Sequence, residues 1–268
     1  MNSKKFVDTK YGRIAYLDSG KGKETIVYFH GWNLSPSLFS KLETRFAKSK
    51  YRVVSNWMPF SGESFIPTKD FSFSDLVEAL SDFLDKVQVR KVHLIGHSLG
   101  GSAALGLATE LKKRIKVKSI TVIDSPLKSI DRLEFVKMGV SALVDTASDK
   151  TTTIPKNEWD DKKDNFNFKY EFKIANLLKT LKIDFEALNK SKIPVLFLWG
   201  RNDLTTPLRE NLEEINRIKK SKIEIVPGHH TWHYEKSEEF LDAIETFVRE
   251  NERNFFQRIF DQLKILWS

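Results

Sequence analysis

The stretch Gly96-His97-Ser98-Leu99-Gly100-Gly101 decides the fold of this chain, because its pattern predicts how the elements on either side are joined. The apolar residues 92–95 precede it and predict a strand, and the small residues 102–108 follow it and predict a helix. Ser98 would then lie at the apex of a strained turn, where flanking glycines avoid clashes between the strand and the helix. Such a turn exposes the serine hydroxyl above the sheet edge and aims the Leu99 N–H at any anion formed there.

Length and composition limit what the chain can be. At 268 residues, of which 40% are apolar, it can form an α/β domain with a buried core. Cysteine is absent, which excludes disulfides, thiolate catalysis and cysteine-ligated metals, and neither a metal nor a cofactor is predicted. The formal net charge is +8, but 44 Lys and Arg are interspersed with 36 Asp and Glu. This mixture favours a solvated surface over nucleic-acid binding.

The two ends of the chain bear on location and partners. Residues 1–5 are followed by polar sequence, so no secretory signal is expected in the chain as given, and a cytoplasmic location is predicted. No run approaches the roughly 18 apolar residues needed to cross a bilayer. Residues 251–268 carry apolar side chains at helical spacing, which predicts a C-terminal amphipathic helix. This helix would pack on the body of the protein, form a homodimer face or lie on a membrane surface.

Apolar runs typical of strands alternate with helical patterns, which predicts an α/β fold: a mostly parallel central sheet with helices on both faces. The alternation covers residues 1–124 and 193–250, which we interpret as the core. Residues 125–192 lack strand signals and are rich in Lys, Asp and Asn. An insertion of this length predicts a mainly helical cap over the carboxyl edge of the sheet, where open α/β sheets bind ligands. The alternative is that this insertion is only an elaborated surface segment.

Candidates for a base and an acid follow later strands. A serine hydroxyl needs a general base to act as a nucleophile at neutral pH, and the base needs an orienting acid. Asp203 follows a buried strand directly, and His229 and His230 follow the next one. In a parallel sheet both positions lie beside the turn at Ser98. Asp124 ends the strand before the insertion and is an alternative acid.

Four motifs in this order resemble the α/β-hydrolase fold superfamily, and within it the branch of capped serine esterases and lipases. They are His30-Gly31-Trp32, residues 96–101, Gly200-Arg201-Asn202-Asp203 with Pro207, and residues 228–240. The resemblance implies a serine hydrolase that cleaves carboxylic esters of a small-molecule acyl substrate through an acyl-enzyme intermediate. Hydrolysis of C–C bonds or thioesters and acyl transfer use the same triad and remain alternatives. A homologue that only binds a ligand or partner would need a broken triad.

The resemblance also implies the role of each residue. Ser98 would attack the acyl carbonyl, and Asp203 would fix the tautomer of the histidine. The backbone N–H groups of Trp32 and Leu99 would form the oxyanion hole, in which each donor is worth roughly 3–4 kcal/mol in other enzymes.

Spacing within the last motif favours one of two adjacent histidines as the base. The family histidine lies five residues before a glutamate that leads into a helix beginning Glu-Glu-Phe. Glu235 occupies that place here, which makes His230 the predicted base and His229 the alternative.

The loop after the third core strand departs from the family pattern. Trp57 replaces an aspartate and Phe60 replaces a glycine, so the loop must follow another backbone path. Trp57, Phe60 and Phe65 would either line an acyl pocket or pack beneath the cap.

Overall fold

One sheet of eight strands organises the described part of the protein. The computed structural model describes residues 3–32, 34, 36, 40–59, 61–66, 70–111, 115–148 and 168–252. The strands are β1 (Lys5–Thr9), β2 (Gly12–Gly20), β3 (Glu24–Phe29), β4 (Tyr51–Asn56), β5 (Lys91–His97), β6 (Lys116–Ile123), β7 (Val195–Gly200) and β8 (Ser221–Val226). Their order across the sheet is β1-β2-β4-β3-β5-β6-β7-β8. Strand β2 is antiparallel to β1 and β4, and the remaining pairs are parallel.

Helices follow most of the strands. They are α1 (Ser40–Ala47), α2 (Phe73–Lys86), α3 (Leu99–Glu110), α4 (Arg132–Ser148), α5 (Phe168–Lys179), α6 (Phe185–Ser191), α7 (Leu208–Asn216), α8 (Trp232–Glu235) and α9 (Ser237–Glu252). No helix in the described ranges is long and apolar enough to cross a membrane.

Two hydrophobic cores lie on opposite faces of the sheet. Alternate residues of β3 show the division, since Val27 and Phe29 belong to one core while Ile26 and Tyr28 belong to the other. The first core includes buried side chains of α2, α3, α5 and α6, and the second includes those of α1 and α9. The predicted α/β fold, a mostly parallel sheet with helices on both faces, is confirmed.

The parallel strands bring distant parts of the sequence to one edge of the sheet. Phe29 of β3 pairs with Gly96 of β5, and Gly96 pairs with Val122 of β6. Ile123 pairs in turn with Leu198 of β7. The segments that follow these strands therefore leave the sheet side by side, although they are far apart in the chain.

The connection between β6 and β7 contains α4, α5 and α6. Helices α5 and α6 contribute Leu177, Leu178 and Leu188 to the buried core. Helix α4 instead leaves apolar side chains exposed, among them Leu133, Val136, Val140, Leu143 and Val144. The interpretation of residues 125–192 as a cap stays a prediction, and residues 149–167 of this insertion lie outside the described residues. The predicted C-terminal extension lies outside them from residue 253 onward.

Close packing around Gly100 yields a stability prediction. A Cβ at Gly100 would lie 2.2 Å from the Phe29 carbonyl oxygen, whereas a Cβ at Gly139 in α4 would meet nothing within 4 Å. We expect Gly100→Ala to lower the free energy of unfolding by about 3 kcal/mol or more, because the backbone must shift. Gly139→Ala, the matched control, should raise it by up to about 1 kcal/mol through helix propensity. Urea unfolding measures both, and equal stabilities would contradict the packing described here.

Candidate active site

Ser98 lies at the apex of the turn between β5 and α3, in a backbone conformation that non-glycine residues rarely adopt. Its φ is 54° and its ψ is −127°, and such a conformation costs about 1–3 kcal/mol unless its surroundings hold it. Strand β6 holds it here, since the Ser98 N–H donates to the Ile123 carbonyl at 2.8 Å. The Gly101 N–H also donates to the Ser98 carbonyl at 2.9 Å. The serine is therefore fixed in a strained turn between strand and helix.

The loop after β3 approaches Ser98 closely. A Cβ at Gly31 would lie 2.9 Å from the Ser98 Cβ and 3.0 Å from His97 Nδ1, so only glycine permits this approach. Trp32 follows Gly31 directly, and Leu99 begins α3. The first N–H groups of a helix have no intrahelical acceptor. Each predicted oxyanion donor therefore directly follows one of the two residues that approach closely: Trp32 follows Gly31, and Leu99 follows Ser98.

His30 anchors the same loop. Its Nδ1 donates to the Gly31 carbonyl at 2.7 Å, and its Nε2 accepts from the Met58 N–H at 2.8 Å. These two bonds require a neutral ring with the proton on Nδ1. Burial lowers the pKa of His30 to about 4, despite the opposing bond to Gly31. His30 therefore holds the loop shape rather than transferring protons at neutral pH.

Asp203 sits in a turn after β7 whose donors satisfy both carboxylate oxygens. Its Oδ1 accepts from the Thr205 and Thr206 N–H groups, each at 2.8 Å. Its Oδ2 lies 2.7 Å from the Thr206 hydroxyl, a donor, and 3.0 Å from His230 Nδ1. Burial alone would raise the pKa of Asp203, but His230 and these hydrogen bonds outweigh it and hold the pKa below its usual value. Asp203 is thus ionised at neutral pH.

The two adjacent histidines point to different carboxylates. His230 Nδ1 faces Asp203 Oδ2 at 3.0 Å, whereas His229 Nδ1 faces Asp145 Oδ1 at 3.2 Å. The His230 carbonyl also accepts from His97 Nε2 at 3.0 Å. His97, the residue before Ser98, therefore ties the His230 segment directly to the serine turn.

Asp124, the alternative acid, occupies a different place from Asp203. It is fully buried at the end of β6, where Oδ1 accepts from the Gly200 N–H and Oδ2 from Trp232 Nε1, both at 2.7 Å. Burial and the negative charge of Asp203 raise the pKa of Asp124 well above its usual value. Its bonds join the ends of β6 and β7 to α8, and its described hydrogen bonds do not include His230.

The three predicted pocket residues fall in different places. The ammonium of Lys4 lies over the Trp57 ring, 4.5 Å from its centre. The Phe65 side chain is 56% exposed, and its backbone forms a bridge with Arg13 of β2. Both residues lie towards the β1–β2 side of the sheet, and no described hydrogen bond or ring contact links them to Ser98. Phe60 lies outside the described residues.

Helix α4 brings two further residues to this edge that the sequence analysis did not single out. The Phe135 ring packs on Trp32 with a centroid distance of 5.1 Å. Asp145, near the other end of α4, contacts His229. One sequence signal could have indicated Asp145: it is the sole charged residue between Lys137 and Asp149.

Among the described residues, one group near the serine turn has the ligand types of a metal site. Atoms of His97, Asp124 and His233 lie within 4.8 Å of one another. Both Asp124 oxygens, however, already accept hydrogen bonds from the Gly200 N–H and the Trp232 indole. These hydrogen bonds therefore already satisfy both oxygens of the buried Asp124 side chain.

Comparison with known proteins agrees with this architecture. A family model of the alpha/beta hydrolase fold matches residues 24–171. The chain belongs to the α/β-hydrolase fold family. The matched region includes the serine turn, the loop after β3 and most of the insertion.

Individual known proteins are similar to this chain over most of its length. A 2-hydroxy-6-oxononadienedioate/2-hydroxy-6-oxononatrienedioate hydrolase of Paraburkholderia phymatum is 26% identical over 88% of this chain and 91% of its own. A Mycoplasma pneumoniae protein whose name places it among esterases and lipases is 27% identical over 87% and 91%. A crystal structure from a study of carboxylesterases of Nitrososphaera gargenis superposes with a TM-score of 0.77 at 19% identity, covering 92% of this chain and 99% of that one.

Three buried histidines of this α/β hydrolase predict sensitivity to acid. Burial lowers the pKa of His30 to about 4 and lowers the pKa values of His97 and His233 well below 6.5. Between pH 6.5 and 4 the unfolded chain therefore binds more protons than the folded one. The stability contributed by neutral histidines is complete above pH 6.5 and is lost as the pH falls, by up to about 1.4 kcal/mol per pH unit for each histidine.

Urea unfolding at several pH values between 7 and 4.5 tests this expectation. The free energy of unfolding should fall with pH, and His30→Gln should reduce the slope by up to about 1.4 kcal/mol per pH unit. The slope is the informative quantity, because the variant also loses packing at every pH. An identical slope in the variant would contradict a neutral His30.

Proposed function

We propose that this protein is a serine hydrolase of carboxylic esters in which Ser98 is the nucleophile, His230 the general base and Asp203 the orienting acid. The observation that carries the proposal is the 3.0 Å contact between His230 Nδ1 and Asp203 Oδ2, at the sheet edge where Ser98 is held in a strained turn. The paired ring nitrogen leaves Nε2 as the atom that can accept the serine proton.

The reaction would proceed in two halves. Ser98 Oγ attacks the ester carbonyl while His230 Nε2 accepts its proton, and the oxyanion of the tetrahedral intermediate accepts bonds from the Trp32 and Leu99 N–H groups. The intermediate collapses to an acyl-enzyme as His230 returns the proton to the departing alcohol. Water then attacks the acyl carbon while His230 accepts its proton. The second tetrahedral intermediate collapses as His230 returns that proton to Ser98 Oγ, which releases the carboxylic acid and frees Ser98.

Asp203 is suited to orient the histidine throughout. Its lowered pKa keeps it ionised, so it accepts a hydrogen bond from the Nδ1–H group of His230 and stabilises the imidazolium that forms during each attack. The Thr205 and Thr206 N–H groups hold its other oxygen, so the carboxylate cannot rotate away without losing two hydrogen bonds.

The substrate would be a small acyl compound bound between the serine turn and the insertion. We propose that residues 125–192 act as a cap, because the Phe135 ring of α4 rests on Trp32 of the predicted oxyanion loop. The relatives support two bond types: esters through the Mycoplasma protein named among esterases and lipases, and C–C bonds through the Paraburkholderia hydrolase. Cleavage of a C–C bond in a diketone-like substrate is therefore the second candidate.

A panel of short- and long-chain p-nitrophenyl esters tests the proposed triad. Ser98→Ala and His230→Ala should each lower kcat at least about a thousandfold, because the members of a triad act as a unit. Labelling with a fluorophosphonate probe checks Ser98 without depending on the ester. His229→Ala is the comparison variant, since it removes the neighbouring imidazole while the His230–Asp203 pair remains, and it should lose far less activity than His230→Ala.

The same panel can overturn the assignment. If folded wild-type protein neither reacts with the probe at Ser98 nor hydrolyses any ester, the proposed function is wrong. Retained activity in His230→Ala, with a loss in His229→Ala, would move the base to His229.

Activity of Asp203→Asn tests the choice of acid. An amide cannot stabilise the imidazolium and favours the wrong tautomer, so we expect kcat to fall by about 10³–10⁴ with a smaller change in KM. Asp124→Asn is the comparison variant, measured at a temperature where both proteins are folded. A larger loss of kcat in Asp124→Asn than in Asp203→Asn would assign the acid to Asp124.

A further inference from the structure

Helix α4 touches the candidate site at two points along its length. Phe135 packs on Trp32, beside the close approach to Ser98. Asp145 lies ten residues later, about 15 Å along the helix axis at 1.5 Å per residue, and contacts the segments that carry Asp203 and His230. The helix thus spans from the predicted oxyanion loop to the proposed acid and base.

The Asp145 carboxylate is almost fully buried, with 4% of the residue exposed, and is surrounded by donors. Its Oδ2 accepts from the Leu204 N–H at 3.1 Å, the Thr205 N–H at 3.1 Å and the Thr205 hydroxyl at 2.8 Å. Its Oδ1 lies 3.2 Å from His229 Nδ1. Four contacts nearly fill the acceptor capacity of a carboxylate. A single side chain of the insertion therefore joins both segments that carry the proposed acid and base.

One N–H group links this carboxylate directly to the proposed acid. The Thr205 N–H donates to Asp203 Oδ1 at 2.8 Å and to Asp145 Oδ2 at 3.1 Å. A displacement of Asp145 would therefore disturb the Thr205 N–H group, which also donates to Asp203. On the other side, His229 directly precedes His230 in the chain, so the second contact of Asp145 restrains the segment that carries the proposed base.

We propose that Asp145 is a positioning residue, through which the insertion holds the Asp203 turn and the His229–His230 segment in the arrangement that the triad needs. This inference rests on the proposed function. The acid and base would then be fully aligned only while α4 is docked. Asp145 does not touch the reacting atoms, and its contribution is geometric.

The test compares Asp145→Asn and Asp145→Ala with Lys137→Ala in the full-length protein. Lys137 is an exposed residue of the same helix, so its variant controls for changes to α4 itself. Hydrolysis of a p-nitrophenyl ester gives kcat and KM separately, and the rate of Ser98 labelling by a fluorophosphonate reports activation of the serine. All measurements are made well below the thermal unfolding midpoint of each variant.

We expect kcat and the labelling rate to fall together by roughly 10- to 100-fold in Asp145→Ala, as for a small misplacement of reacting groups. KM should change by less than about twofold, and Lys137→Ala should match the wild type. Asp145→Asn keeps one acceptor oxygen and should lose less than Asp145→Ala. The double variant Asp145→Asn/His229→Gln should lose less than the product of the two single losses, because both remove one shared contact.

Two results would overturn the inference while leaving the proposed function intact. A lowered unfolding midpoint with unchanged kcat and labelling rate would make Asp145 purely structural. A rise in KM alone would make α4 a substrate contact rather than a support for the triad. An absence of labelling and ester hydrolysis in the wild type would overturn the proposed function and this inference with it.

Discussion

The site depends on the close contact between the turn at Ser98 and the backbone of neighbouring strands. The serine keeps its positive φ because its N–H is bonded to Ile123 of β6. Helix α3 can begin there because Gly100 meets the Phe29 carbonyl of β3 without a side chain. Strands on both sides of β5 therefore determine where the hydroxyl points. The backbone strain is confined to Ser98, but the contacts that maintain it come from β3 and β6 at the centre of the sheet.

Around that turn, buried imidazoles serve as structural connectors. His30 joins the predicted oxyanion loop to Met58, and His97 joins the serine turn to the His230 carbonyl. Both have lowered pKa values because they are buried. A neutral imidazole offers one donor and one acceptor at a fixed angle, which suits it to linking backbone segments. The same residue type would thus build the site and carry out its proton transfer.

Much of this arrangement was predictable from sequence, because strand-end motifs in a parallel sheet must meet at one edge. For that reason the side chains of Asp203 and His230 lie in contact. Asp145 was not predictable, since its partners depend on how α4 packs on loops far away in the chain. The position of Phe65 was equally hard to predict, because its bridge with Arg13 joins distant residues and leaves no local sequence pattern. Strand β1 could not be predicted either, because its sequence Lys5–Thr9 at the exposed edge of the sheet shows no clear alternation of apolar and polar residues.

The insertion enters after β6 and leaves before β7, and its described residues contribute no strand to the sheet. Replacing such a segment would leave every described strand in place and would provide a new surface on an unchanged core. The contacts of Asp145 with Thr205 and His229 mean that a transplanted segment would also remove a buried acceptor from the core loops. A segment transplanted into this protein would have to supply a carboxylate in the position of Asp145. The boundary between scaffold and exchangeable module therefore runs through α4 rather than at the ends of the insertion.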